Sequence, residues 1–169
     1  MLPDITEEVK NSCETLRARI QTHSVFAPHA VVLEHGLDRF LAGDYISATA
    51  ILYPRIEGIM RSLHAMSGRN TKPKQDVLAD AAVYGGDGNG NSSILLLPDK
   101  FRTYLEDVYF DSFDPDFVNS PSTVSRNSVG HGVAPQTDYN EKAATIGLLI
   151  IDQMSYFLPD ETPSPEPKN

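Results

Sequence analysis

Tyr45-Ile-Ser-Ala-Thr-Ala-Ile-Leu-Tyr-Pro-Arg-Ile-Glu-Gly-Ile-Met-Arg-Ser-Leu-His-Ala-Met-Ser67 is the stretch whose reading decides the fold. Tyr45, Thr49, Leu52, Ile56, Ile59, Leu63 and Met66 recur in steps of four and three, the apolar seam of a helix packed among other helices. Pro54 lies inside it and removes one backbone hydrogen bond, so a kink is expected near Ala50. Beside the seam runs a polar line, Glu57, Arg61 and His64, again at spacings of four and three. It reads either as a solvated face with an i,i+4 ion pair worth roughly a few tenths of a kcal/mol, or as the border of a site in which Glu57 orients a cation supplied by another segment.

Upstream, Ile5, Val9, Cys13, Leu16 and Ile20 form one stripe, and Asp4 followed by Glu7 resembles a capping box, so a helix is predicted from about Asp4 to Thr22. Pro28 opens a second helix through Leu33, Leu37 and Phe40 or Leu41, ended by Gly43. So short a connection normally makes the neighbouring helices antiparallel. Downstream, a short helix is expected from about Gln75 to Tyr84, followed by a glycine-rich stretch from Gly85 to Asn91. No lysine follows those glycines and no strand precedes them, so they read as a linker rather than a phosphate loop, and the acid spacing does not suit a calcium loop. Asp99 begins a helix carrying Phe101, Leu105, Val108 and Tyr109 that fades by Asp111. Asp107, Asp114 and Asp116 read as solvated acids in and near a loop, and nothing calls for a metal or another cofactor.

The last helix is predicted from about Thr137, as its cap, to Leu158. Between Ala143 and Ile151 it is apolar almost all round, which requires burial on more than one side, centrally in the bundle or at a dimer interface. The proline-rich tail, residues 159–169, is expected to be disordered. The fold class is therefore all-α: one domain over residues 1–158, an up-and-down bundle of four long helices plus one or two short ones.

A formal net charge of −9 over 169 residues argues against non-specific, charge-driven binding to nucleic acid. The charge is uneven, however: Arg55, Arg61, Arg69, Lys72 and Lys74 face only Glu57 in their stretch. Cys13 is the single cysteine, so neither a disulfide framework nor a cysteine-based zinc cluster is available. The amino terminus lacks the basic start and apolar run of a signal peptide, and no apolar run approaches the roughly 20 residues of a membrane span. These features lead to the expectation of a cytoplasmic protein with no membrane partner.

The chemistry-bearing stretch is Ser125-Arg-Asn-Ser-Val-Gly-His-Gly132. It sets a guanidinium at Arg126, a carboxamide at Asn127 and an imidazole at His131 within one helical turn or tight loop. Gly130 and Gly132 flank the imidazole and permit close approach. An imidazole exchanges protons near neutral pH, and arginine's planar fork grips phosphate oxygens in pairs, a combination suited to phosphate chemistry.

Arg126-Asn-Ser-Val-Gly-His131 resembles the R-N-x-x-x-H signature of the HEPN superfamily of small helical-bundle proteins. Its place before the final helix, the Pro54-x-x-Glu57-x-x-x-Arg61 pattern on an earlier helix and the Gly43-Asp-Tyr45 step are similar too, so the resemblance extends from about Pro28 to Leu158. It implies a metal-independent endoribonuclease, toxin- or defence-like, that leaves a 2′,3′-cyclic phosphate. In such a mechanism His131 handles the proton of the ribose 2′-hydroxyl or of the leaving 5′-oxygen. Arg126 stabilises transition-state charge, and Asn127 orients the phosphate or the imidazole. Glu57, Arg61, His64, Ser125, Gly130 and Gly132 are supporting or substrate-binding candidates. The resemblance further implies a homodimer with the site at its interface, and an antitoxin or a larger defence complex as partner. Some toxin members carry a modifiable tyrosine two residues after the histidine, where this chain has Val133. The alternative is a non-catalytic helical dimer that binds a nucleotide or a protein within a larger assembly.

Overall fold

The computed structural model describes residues 2–66, 68, 72–84, 98–113 and 124–157, and among them all regular structure is helical. The long helices are α1 (Leu2–Thr22), α2 (Ala30–Leu41), α3 (Tyr45–Met66) and α7 (Glu141–Phe157). Three short ones lie between α3 and α7: α4 (Gln75–Tyr84), α5 (Pro98–Tyr104) and α6 (Arg126–Gly130). The expected helical class and the four long helices are present, with one short helix more than expected among the described residues. The glycine-rich stretch from Gly85, Asp114, Asp116 and the tail lie outside the described residues.

Most of the amphipathic stripes read from the sequence form the core, while Ile5 and Met66 at their outer ends are exposed. Val9, Cys13, Leu16 and Ile20 of α1 meet Leu33, Leu37 and Phe40 of α2 and Leu52, Ile56 and Ile59 of α3 in one buried cluster. Pro28 sits in a tight 3-10 turn, Ala27–His29, and α2 proper begins two residues later. Gly43 takes φ +76, the left-handed conformation that lets the chain reverse between α2 and α3. Arg17 and Gln21 of α1 bond Asp38 and Glu34 of α2, so those two helices are antiparallel. Along the α2–α3 contact, a Cβ on Gly36 would meet Leu52 while His29 bonds Ser62, so that pair is antiparallel as well. α3 runs unbroken through Pro54, which lies on its exposed side.

The fourth long helix departs from the expected up-and-down order. Tyr45 donates to Glu141 at 2.8 Å, both at the beginnings of their helices, and Leu52 and Tyr53 lie against Gly147 one to two turns further along each. On its other side Thr6 meets Thr145 while Arg19 reaches Asp152 and Ser155. α7 is thus parallel to both neighbours. The reason lies in the connection: α4, α5 and α6 carry the chain from the end of α3 back to the level of its start, the role of a long crossover in a bundle. The expected burial of α7 on more than one side holds, since it lies between α1 and α3, leaving Leu149 and Tyr156 exposed.

α7 also begins later than predicted. Pro135 leads into a 3-10 turn, Gln136–Asp138, and Tyr139 then leaves helical geometry at ψ 68. Asn140, not Thr137, caps the helix by accepting from the Ala143 amide at 3.1 Å. Thr137 instead donates to Asp138. Among the described residues, no helix is long and apolar enough to cross a membrane.

Candidate functional site

The predicted motif folds as α6, a one-turn helix docked on α3. Five residues cannot sustain a helix alone, so the ends of this one are closed by side chains. Ser125 has extended backbone and its hydroxyl accepts from the Ser128 amide at 3.1 Å, while the Ser125 amide donates to the Ser128 hydroxyl at 2.9 Å, a reciprocal capping box. The Ser125 hydroxyl also donates to the Asp111 carbonyl at 2.9 Å, fastening α6 to the segment after α5. Gly132 ends the unit at φ +69.

Asn127 completes the fastening. Its Nδ2 donates to the carbonyls of Phe110 at 2.8 Å and Asp111 at 3.2 Å, and its Oδ1 accepts from Gln75 of α4 at 3.0 Å. Both ends of the amide therefore hold α4, α6 and the end of the α5 segment together. The link from Asn127 to His131 runs through the backbone, where the His131 amide donates to the Asn127 carbonyl at 3.0 Å.

Beneath α6 lies Glu57. Its carboxylate, 6 % exposed, receives Arg61 of α3 through Nε at 2.7 Å and Nη2 at 2.6 Å, and takes the Nε of Arg126 on its other oxygen. The second reading of the polar line holds in this respect: Glu57 orients a cation brought from another segment. The line is not a solvated face, because Glu57 and His64 are buried and only Arg61 is exposed. The cluster of one carboxylate and two guanidiniums carries a net positive charge, compensating the burial of Glu57. Burial holds the hydroxyl of Tyr109 well above the usual tyrosine range, reinforced by nearby Glu57 and opposed by Arg126, and that hydroxyl donates to the Tyr53 carbonyl at 2.6 Å.

The rest of the Arg126 guanidinium stays partly accessible, with 28 % of the side chain exposed. Its Nη1 leans towards Asn127 Oδ1 at 3.4 Å and lies 3.4 Å from where a Cβ on Gly130 would be, so Gly130 makes room for the arginine itself. His131 is exposed at the carboxyl end of α6, its ring 5.0 Å from that of Phe113. The structure thus brings Arg126, Asn127, Glu57, Arg61, Ser125 and Gly130 into one cluster, with His131 and Gly132 at its surface edge. His64 lies one turn beyond Arg61 in the interior.

The sequence reading missed Gln75, Phe113 and Tyr109, and the Phe110 and Asp111 carbonyls. A backbone carbonyl carries no sequence signal, and Gln75 and Phe113 lie far along the chain from the motif. Among the described residues, no group of three or more histidine, cysteine or acidic side chains could hold a metal ion.

Fold and site define an all-helical bundle in which a buried carboxylate holds two arginines beneath a one-turn helix that exposes a histidine. No family model matches the chain, and the searches of curated proteins and of solved structures give no match.

Proposed function

We propose that this chain is a metal-independent endoribonuclease of the HEPN type, working as a homodimer on RNA. The observation that carries the reading is the seating of Arg126 on buried Glu57, which presents a fixed, permanently charged guanidinium edge a few residues from an exposed imidazole. The reaction needs little more. The ribose 2′-oxygen attacks the adjacent phosphorus and the bond from phosphorus to the 5′-oxygen breaks, leaving a 2′,3′-cyclic phosphate and a 5′-hydroxyl. His131 accepts the 2′-proton or donates to the departing oxygen, and Arg126 stabilises the charge that develops on the phosphoryl oxygens. In a twofold dimer the second His131 supplies the complementary acid or base. Asn127 acts as a positioning residue, holding α6 in place.

The full engagement of the Asn127 amide in internal bonds also favours a second reading, a nucleotide- or protein-binding module whose motif is structural. One experiment separates the two. The protein and its His131→Ala and Arg126→Ala variants are incubated with mixed RNA in EDTA, and the product ends are identified. Cyclic-phosphate ends from the parent, absent from both variants while their circular dichroism is unchanged, are the expected result. Cleavage retained by both variants overturns the assignment of the site, and intact RNA in every tube leaves the binding module.

A further inference from the structure

A cleft of about 290 Å³ contains none of the motif residues. Its walls are apolar and aromatic: Tyr53 of α3, Tyr104 of α5, Val108, Val124 and Ile146 of α7. The polar rim comes from one segment, with Asp138, Asn140 and Lys142. The volume falls just below the roughly 300–1,000 Å³ typical of small-molecule sites, enough for one ring system and little else.

The rim narrows the chemistry. Asn140 is engaged at both ends of its amide, donating to the Thr137 carbonyl and accepting from Ala143, so the start of α7 is already capped and offers no anion site there. Asp138 and Lys142 bring one negative and one positive charge to the same edge. A charged ligand meets repulsion from one of them, whereas a neutral ring with a donor beside an acceptor matches both. Among the described residues the Tyr104 hydroxyl has no hydrogen-bond partner, and burial pushes its pKa up to about 12, so it stays a proton donor. A flat heteroaromatic with a mixed hydrogen-bonding edge fits the walls and the rim.

Two of its lining residues, Tyr53 and Val124, tie the cleft to the Arg126–Glu57 pair through the chain. Tyr53 precedes Glu57 by four residues on α3, about 6 Å along the helix axis, and Val124 precedes Arg126 by two residues. We propose that this cleft receives the nucleobase of the nucleotide whose phosphate meets Arg126. The choice of a nucleobase among flat heteroaromatics rests on the ribonuclease reading.

The test titrates adenosine, guanosine, cytidine and uridine, all without phosphate, into the methyl-labelled full chain. At least one should give saturable shifts confined to the methyls of Val108, Val124 and Ile146. Ile146→Trp, which fills the cleft, should weaken that binding roughly tenfold or more, as loss of base stacking does. Lys142→Ala, at an exposed position, should weaken it several-fold without changing thermal stability. Arg126→Ala should leave nucleoside binding intact. Absence of saturation with all four nucleosides overturns the proposal, as do equal shifts from toluene, which would mark a merely apolar cavity. Nucleoside binding without RNA cleavage would keep the cleft and remove the ribonuclease, and Arg126-dependent cleavage without nucleoside binding would do the reverse.

Discussion

Glu57 is the residue on which the site turns. A carboxylate buried without partners is costly, and here two guanidiniums offset that cost. Removing the anion leaves Arg126 partly buried without its counter-charge, so Glu57→Ala should lower unfolding stability by about 3 kcal/mol, read from urea denaturation. Replacing the pair together, Glu57→Leu with Arg126→Met, should recover much of the loss, because an apolar pair needs no desolvation. A single-variant loss below about 0.5 kcal/mol would show the pair behaving as an exposed surface bridge and would undo this account. The sequence showed that Glu57 and Arg61 share a helix face. That the face looks inward depends on what packs against it, which spacing along α3 does not encode.

At the scale of the element, α6 has little helix stability of its own and is held by its caps and by Asn127. Ser125→Ala removes the hydroxyl that accepts from Ser128 and donates to Asp111, so it should cost about 1–2 kcal/mol. Amide exchange should accelerate at residues 126–131 more than in α3. Uniform acceleration across the chain would mean that α6 does not open separately. This element was only half legible: the motif and its span were visible, but a five-residue helix has too few turns to show periodicity. The start of α7 was misplaced for a related reason. Thr137 and Asn140 are both good caps, and only the 3-10 turn after Pro135 selects Asn140.

For the whole molecule, α1 reports on the integrity of the bundle. Cys13 is buried, and that burial pushes its thiol up to about 11 from an ordinary 9.0, partly opposed by Arg17. Because the folded thiol holds its proton more tightly than the unfolded one, its contribution to stability is complete below pH 9 and is lost as pH rises towards 11. At pH 8 a thiol reagent should label the native chain only through unfolding, at a rate that follows global stability as urea is added. Labelling much faster than that rate would show α1 detaching independently. By itself the sequence determined the helices α1, α2, α3 and α4, the reversal at Gly43 and most of the residues that face the core, because amphipathic period and turn chemistry are local properties. The tertiary structure alone decided that α7 runs parallel to α1 and α3, that Glu57 lies beneath Arg126 and that Asn127 is a fastener. Each of these depends on residues brought together across the long crossover between α3 and α7, and the direction of a helix after such a connection is set by packing and chain closure rather than by its own pattern.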